Sequence, residues 1–423
     1  MKSISPSIRR AKSAFRFRFA AVCGVVLHFA VVSLSFSIVQ GAAPTLRREL
    51  DPSDASVARS VRAADGPLAW TGQIYGWNDA GTVGGSAAHQ AENALARLRI
   101  ALAAAGSDFE RVVRINAYVV TDEIAPVLVA ALKKGFAGHM PTLTVVATPL
   151  AESGALLALD AIAAVATPAT KLSVLAVDGL PPKATGRHVS VVPAGRKVFI
   201  SGQAEPAENL RLATRLTMAS LGRSLAHLGV EKTAVVQVKA FLQPFAQHRE
   251  AMEEIAAFFE GGPVPPVVLM AWTSELPTEI ELVAAGGTAR APVAGEPVWF
   301  STLPNLAASP RFSRAAIVEP GVPLIFTSGL VGSAGGGARA ELRDIFAQLG
   351  SLLFDAGSSY RYLVKATYFN RDAMGPKVLA EVRGVYFDPT RPPAASSVGV
   401  STLGVAGRVS SLDMIAVPAP VAK

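Results

Sequence analysis

Three times along this chain an apolar run closes on a small-residue turn, a helical stripe follows, and the pattern then switches to a strand. The turns are Trp70-Thr71-Gly72-Gln73, Ile200-Ser201-Gly202-Gln203 and Phe326-Thr327-Ser328-Gly329. Leu95, Leu98, Leu102 and Ala105 fall on one helical face, as do Leu221, Leu225 and Leu228, and Leu342, Ile345, Leu349, Leu352 and Ala356. Each stripe stops at a glycine: Gly106, Gly229 and Gly357. The β-rich runs that follow cover residues 112–118, 235–241 and 363–369. A second helix is predicted near 124–136, 248–259 and 376–386, and a strand pair closes each copy, as in 144–147 with 156–163. The order is β-hairpin, helix, strand, helix, strand pair, with the helices on one face of a mixed sheet, an α+β layer. The copies recur roughly every 125 residues, too far apart for stacked solenoid units, so each is a domain.

The expected limits are 1–43 for a leader or N-terminal anchor, 44–65 for a lead-in, and 66–166, 188–286 and 312–418 for the three domains. Segments 167–187 and 287–311, rich in proline and glycine, read as linkers. Half of the residues are hydrophobic and 17% are charged, which gives each copy enough apolar material for a core.

The formal charge of +8 suggests an anionic partner until its placement is considered. Lys2, Arg9, Arg10, Lys12, Arg16 and Arg18 all precede an apolar segment at 19–39. The chain beyond them carries only about +2 and has no basic-aromatic stripe, so no nucleic-acid partner is expected. A basic region, an apolar region and the small residues Gly41-Ala42-Ala43 make an export signal. The protein is therefore expected in the periplasm or outside the cell. The segment is also long enough to stay uncleaved as a membrane anchor, the one membrane contact expected. Cys23, the single cysteine, lies inside it, and cleavage leaves no thiol for disulfides or thiolate catalysis.

Taken in order and threefold, the runs at 198–203, 103–107, 113–118 and 391–398 resemble the Rid (YjgF-type) enamine/imine deaminases. That resemblance implies a chorismate-mutase-like fold that assembles as a trimer with ligand sites between subunits. Three tandem copies then imply an intramolecular pseudo-trimer, a monomer of one chain with clefts between its domains. The family chemistry implies an arginine that forks onto a substrate carboxylate, a glutamate that polarises the attacking water, and a tyrosine in the cleft.

The arginine position falls on Leu143, Val268 and Ala395. The glutamate position falls on Ala158, Glu279 and Ser411, so Glu279 is the one catalytic candidate. The tyrosine position falls on His188 and Phe312 in the second and third copies, and Gln203 is a further cleft candidate. Without the clamp, a 2-imino acid anion would face an apolar wall, a charged contact worth about 1.5–3 kcal/mol being absent. The expected ligand is therefore a small molecule such as a neutral imine or carbonyl. Two alternatives stay open: a deaminase clamped by Arg187 or Arg314, and a cyanuric-acid-type amidohydrolase using Lys239 or Lys365 beside a serine, with Arg114 in the matching place. No cofactor is expected. The histidines show no metal spacing, and Gly335-Gly336-Gly337 lacks the lysine of a phosphate loop.

Overall fold

The computed structural model describes residues 44–420 except 53, 183–185, 289–294, 305, 334 and 372–374. The export segment expected at 1–43 lies outside the described residues. Among those described, no helix is long and apolar enough to cross a membrane.

Repeat 1 contains β1 (Leu46–Asp51), β2 (Asp54–Ala63), β3 (Leu68–Thr71), β4 (Ile74–Tyr75), α1 (Ala87–Ala104), β5 (Val112–Val119), α2 (Ala125–Phe136), β6 (Thr142–Ala147) and β7 (Leu157–Ala164). Repeat 2 runs β8 (Ser173–Leu175), β9 (Val189–Val192), β10 (Lys197–Gln203), α3 (Leu210–His227), β11 (Val235–Leu242), α4 (His248–Phe258), β12 (Val267–Ala271) and β13 (Thr278–Ala285). Repeat 3 runs β14 (Val298–Ser301), β15 (Ala315–Val318), β16 (Leu324–Thr327), β17 (Leu330–Val331), α5 (Gly337–Asp355), β18 (Leu363–Asn370), α6 (Gly375–Arg383), β19 (Ala394–Gly399) and β20 (Ser410–Ala416).

Local signals set the helices. Ser86 and Asn209 cap α1 and α3 by accepting from the amides of His89 and Leu212. The first helices stop where Gly106, Gly229 and Gly357 take φ of +73°, +62° and +71°, a region costly for any residue with a Cβ. Two expectations need correction. The closing strands are not a pair: β6 runs parallel to β5 on one side and β7 antiparallel on the other, with the same arrangement in the other two repeats. The stretches read as linkers also carry the short strands β8 and β14.

The opening hairpins are exchanged. β3 pairs with β9 of repeat 2, β10 pairs with β15 of repeat 3, and β16 pairs with β2 of repeat 1. The sheets consequently read β6-β5-β7-β3-β9-β8, β12-β11-β13-β10-β15-β14, and β1-β2-β16-β20-β18-β19. Each repeat gives two strands to a neighbour, and the N-terminal hairpin closes the ring on the last sheet.

Apolar residues place the sheets face to face. The helix side of each sheet packs on its own helices, as Leu221, Leu225 and Ile255 do in repeat 2. The opposite faces share one central cluster in which corresponding residues meet: Val113 with Val236 and Val364, Ile162 with Val283 and Ile415, Trp70 with Phe199 and Phe326. The chain is a pseudo-trimer folded from one polypeptide. Asp65 ties the turns between exchanged strands. Its carboxylate accepts from the amides of Gly195 and Gly321 and from Lys197 Nζ at 2.7 Å, reaching all three repeats.

Candidate functional site

Exchange brings the turn after one repeat's strand against the free edge of another repeat's parallel strand, three times in rotation. Leu269 of β12 donates to and accepts from the side-chain amide of Gln73. Ala395 and Ser396 of β19 bond to Ser201 and Gly202. Leu143 of β6 bonds to Ser328 and Gly329. Edge strands are thereby capped at the places where clefts form.

Register decides which residues occupy equivalent positions. In the parallel pairs Ile115 faces Leu143, Val238 faces Val267, and Ala366 faces Ala395. The expected clamp positions Leu143 and Ala395 thus correspond to Val267, and Val268 is out by one residue. Val268 is fully buried, while Val267 lines the cleft; adjacent strand residues point to opposite faces. The corrected set, Leu143, Val267 and Ala395, is aliphatic throughout.

The other candidates separate. Glu279 reaches the cleft between repeats 2 and 3, where its carboxyl occupies the space over Gly202: a Cβ there would lie 1.9 Å from Oε1. Burial, then the neighbouring Glu281, raise its pKa to about 7, against the pull of Lys365, Ser396 and Ser397. Its Oε1 is buried with no hydrogen-bond partner among the described residues. The equivalent residues in the other clefts are Ala158 and Ser411.

His188 does not open onto a cleft. Its Nδ1 accepts from the Val177 amide at 2.9 Å and its Nε2 lies 3.0 Å from the Pro181 carbonyl, which pins the 175–181 segment and sets the neutral tautomer. Gln203 turns inward to donate to Ser224 on its own helix, unlike Gln73. Phe312 packs on the repeat 3 core with Arg314 over its ring. Arg314 spends its guanidinium on the Ala307 carbonyl, and Arg187 is exposed.

The buried charges lie elsewhere, on the strand faces turned toward the centre. Lys365 Nζ sits 2.7 Å from Glu281 of repeat 2, and Arg114 of repeat 1 sits 3.0 Å from Asp413 of repeat 3. Burial raises the pKa of Asp160, offset by Lys239 of repeat 2 and by hydrogen bonds from Tyr118 and Asn116. Each acid therefore meets a cation of another repeat. Register pairs Lys365 with Arg114 and Gln237; Lys239, expected at that level, stands two residues further along, level with Asn116. Lys365 does have a serine beside it, Ser396 at 3.3 Å, but that hydroxyl donates to Glu281. The lysine is an ion-pair partner rather than a base.

One cavity with an apolar wall and a charged rim lies between repeats 1 and 2. It has a volume of about 510 Å³ and is walled by Tyr75, Met252, Val267 and Leu269, with Glu152, His248 and Arg249 at its rim. Sequence reasoning missed these residues. The available signal was the Gln73-x-Tyr75 spacing and the Arg249 that opens α4. A second cavity of about 640 Å³, between repeats 2 and 3, includes Trp272, Asn370, Arg371 and Ser397. Among the described residues no group of three or more His, Cys, Asp or Glu side chains is placed to hold a metal ion.

Fold and clefts together define a class: small α+β domains closed into a threefold ring with ligand-sized clefts at the domain junctions. The endoribonuclease L-PSP family model matches residues 51–165 and 302–417, more than half of the chain, and the chain belongs to that family, the YjgF/Rid proteins. The chain is similar to a YjgF-family protein of Neisseria meningitidis at 23% identity, over 29% of this chain and 97% of that one, with a TM-score of 0.23. It is similar to the Rid-family protein YyfB of Yersinia pestis at 22% identity, over 28% and 98%, with a TM-score of 0.25. A YjgF-family protein of Mycobacterium tuberculosis is 24% identical over 23% and 83%, with a TM-score of 0.21. No curated protein matches the chain.

Proposed function

We propose that this is an exported Rid-family module that binds a small metabolite, with deaminase sites that have lost their chemistry. One observation carries the reading: the carboxylate-clamp position is Leu143, Val267 or Ala395 in all three clefts. A 2-imino acid held there would lose its charged contacts and their orientation, about 1.5–3 kcal/mol for each hydrogen bond to charge. A neutral imine or carbonyl, or a ligand that turns its polar end away from β12, avoids that cost.

The alternative, an active deaminase with a non-standard clamp, gains support from Arg249 at the rim of the first cavity. Against it, Arg249 and Glu279 belong to different clefts, and the glutamate position in Arg249's cleft is Ala158. Water activation and anion binding are thus split between sites that share no substrate.

Two measurements test the reading. The purified protein should not speed hydrolysis of 2-iminopropanoate above its spontaneous rate; robust turnover would promote the deaminase. A thermal-shift screen of small metabolites should give hits that disappear when Val267→Trp fills the cavity. No hits at all would remove the binding function.

A further inference from the structure

Resting on the binding reading above, we infer that the cleft between repeats 1 and 2 takes a zwitterionic amino acid with an apolar side chain. Its carboxylate would meet Arg249, its ammonium would meet Glu152 and Tyr75, and its side chain would lie against Met252, Val267 and Leu269.

Two charges at this cavity have no partner among the described residues. Arg249 makes no hydrogen bond or ion pair among the described residues, and the Glu152 carboxylate has no hydrogen-bond or ion-pair partner there either. Both line the same cavity, one from α4 of repeat 2 and the other from the 151–154 loop of repeat 1, yet they do not pair with each other. The remaining rim acid, Glu253, is bound to Arg211 at 2.6 Å, so it does not neutralise Arg249. Arg249 also stands in the first turn of α4, where the helix dipole adds to a cation's hold on an anion.

On the other wall, the Tyr75 hydroxyl donates to Gln73 Oε1 at 3.2 Å. Burial, with the charge of Glu152 next, raises its pKa against the pull of the Ala151 amide, so it stays protonated; that amide occupies one lone pair of its oxygen and the other is left to accept. An ammonium between that oxygen and the Glu152 carboxylate has the environment its three donors need. Between the charged walls, Met252, Val267 and Leu269 present an apolar floor, in a volume that suits a small ligand. A simple carboxylate would face Glu152, a simple amine would face Arg249, and a neutral molecule would use neither. The zwitterion satisfies both at once.

Calorimetric titration of the purified protein with L-phenylalanine, phenethylamine and 3-phenylpropanoate tests this. Phenylalanine should bind at least tenfold more tightly than either relative lacking one charge. Arg249→Ala should abolish the preference over phenethylamine, and Glu152→Gln the preference over 3-phenylpropanoate. Both side chains are exposed, so neither change threatens folding. Equal binding of the three compounds, or phenylalanine affinity within twofold of the parent in both variants, would overturn the inference. If phenylalanine does not bind but screening hits sensitive to Val267→Trp exist, the zwitterion falls and the binding module stands. If no compound binds, both fall.

Discussion

A half-buried acid over a glycine shows how much one side chain depends on its neighbours. Glu279 fits because Gly202 has no Cβ; the equivalent pair in repeat 3, Ser411 and Gly329, keeps the glycine but has no acid on the strand. Lys365, Lys239 and Arg114 already answer Glu281, Asp160 and Asp413, which leaves Glu279, beside Glu281, without a cation of its own among the described residues. With a folded pKa of about 7 against an ordinary 4.5, the folded chain holds that proton more tightly than the unfolded one. The contribution is complete below pH 4.5, declines as pH rises, and levels off above about 7, a loss of roughly 3 kcal/mol. Urea denaturation at pH 5 and pH 8 should show that decline, and Glu279→Gln should flatten it; equal slopes in both proteins would contradict the assignment. The same residue gives a gain-of-function test. Ala395 is the clamp position in the cleft that Glu279 shares, so Ala395→Arg should raise 2-iminopropanoate hydrolysis above background, and adding Glu279→Gln should remove the gain. The same rate in both variants would show that the glutamate has no part in it.

Among elements, the exchanged hairpins decide the outcome. β1 and β2 belong to repeat 1 in sequence but complete the sheet of repeat 3 against β16. Removing residues 46–63 should leave β16 an open edge and expose part of the central cluster that includes Val61 and Phe326, giving aggregation by light scattering. A soluble, monomeric truncated chain would show that closure is dispensable. The turns between exchanged strands are held by Asp65. Asp65→Ala strands Lys197, whose side chain is 5% exposed, and should cost about 3–5 kcal/mol in chemical denaturation. The double change Asp65→Leu with Lys197→Met should recover much of that loss, because an apolar pair needs no counter-charge.

For the whole molecule, three interfaces are satisfied inside one chain. Linkage keeps the partner domains at high effective concentration, so the protein should scatter light with the mass of a single chain; a stable three-chain particle would refute internal closure. An isolated repeat, such as residues 68–192, would bare Trp70, Val113 and Ile162 and should be poorly soluble. Export belongs to this scale as well. Mass spectrometry of the N-terminus should find the protein outside the cytoplasm and, if cleaved, starting near residues 42–44; full-length soluble protein in the cytoplasm would oppose it.

Much of this was written locally. The helix stripes, the caps at Ser86 and Asn209, the glycine stops and the threefold order depend on neighbours within a few residues, so hydrophobic period and turn chemistry are enough to expose them. The correspondence of Leu143 with Ala395 was legible too, while its counterpart in repeat 2 is off by one residue of register. Sequence alone does not say which of Val267 and Val268 faces the cleft, because both are apolar and the choice rests on pairing with β11. Strand exchange was equally hidden. A hairpin that folds on itself and one that opens into two sheets share the same alternation, and only the fit of Val113, Val236 and Val364 around a common centre selects the second. The same holds for the meeting of Tyr75 and Glu152 with Arg249, nearly a hundred residues further along or more, because the cavity exists only after two repeats have docked.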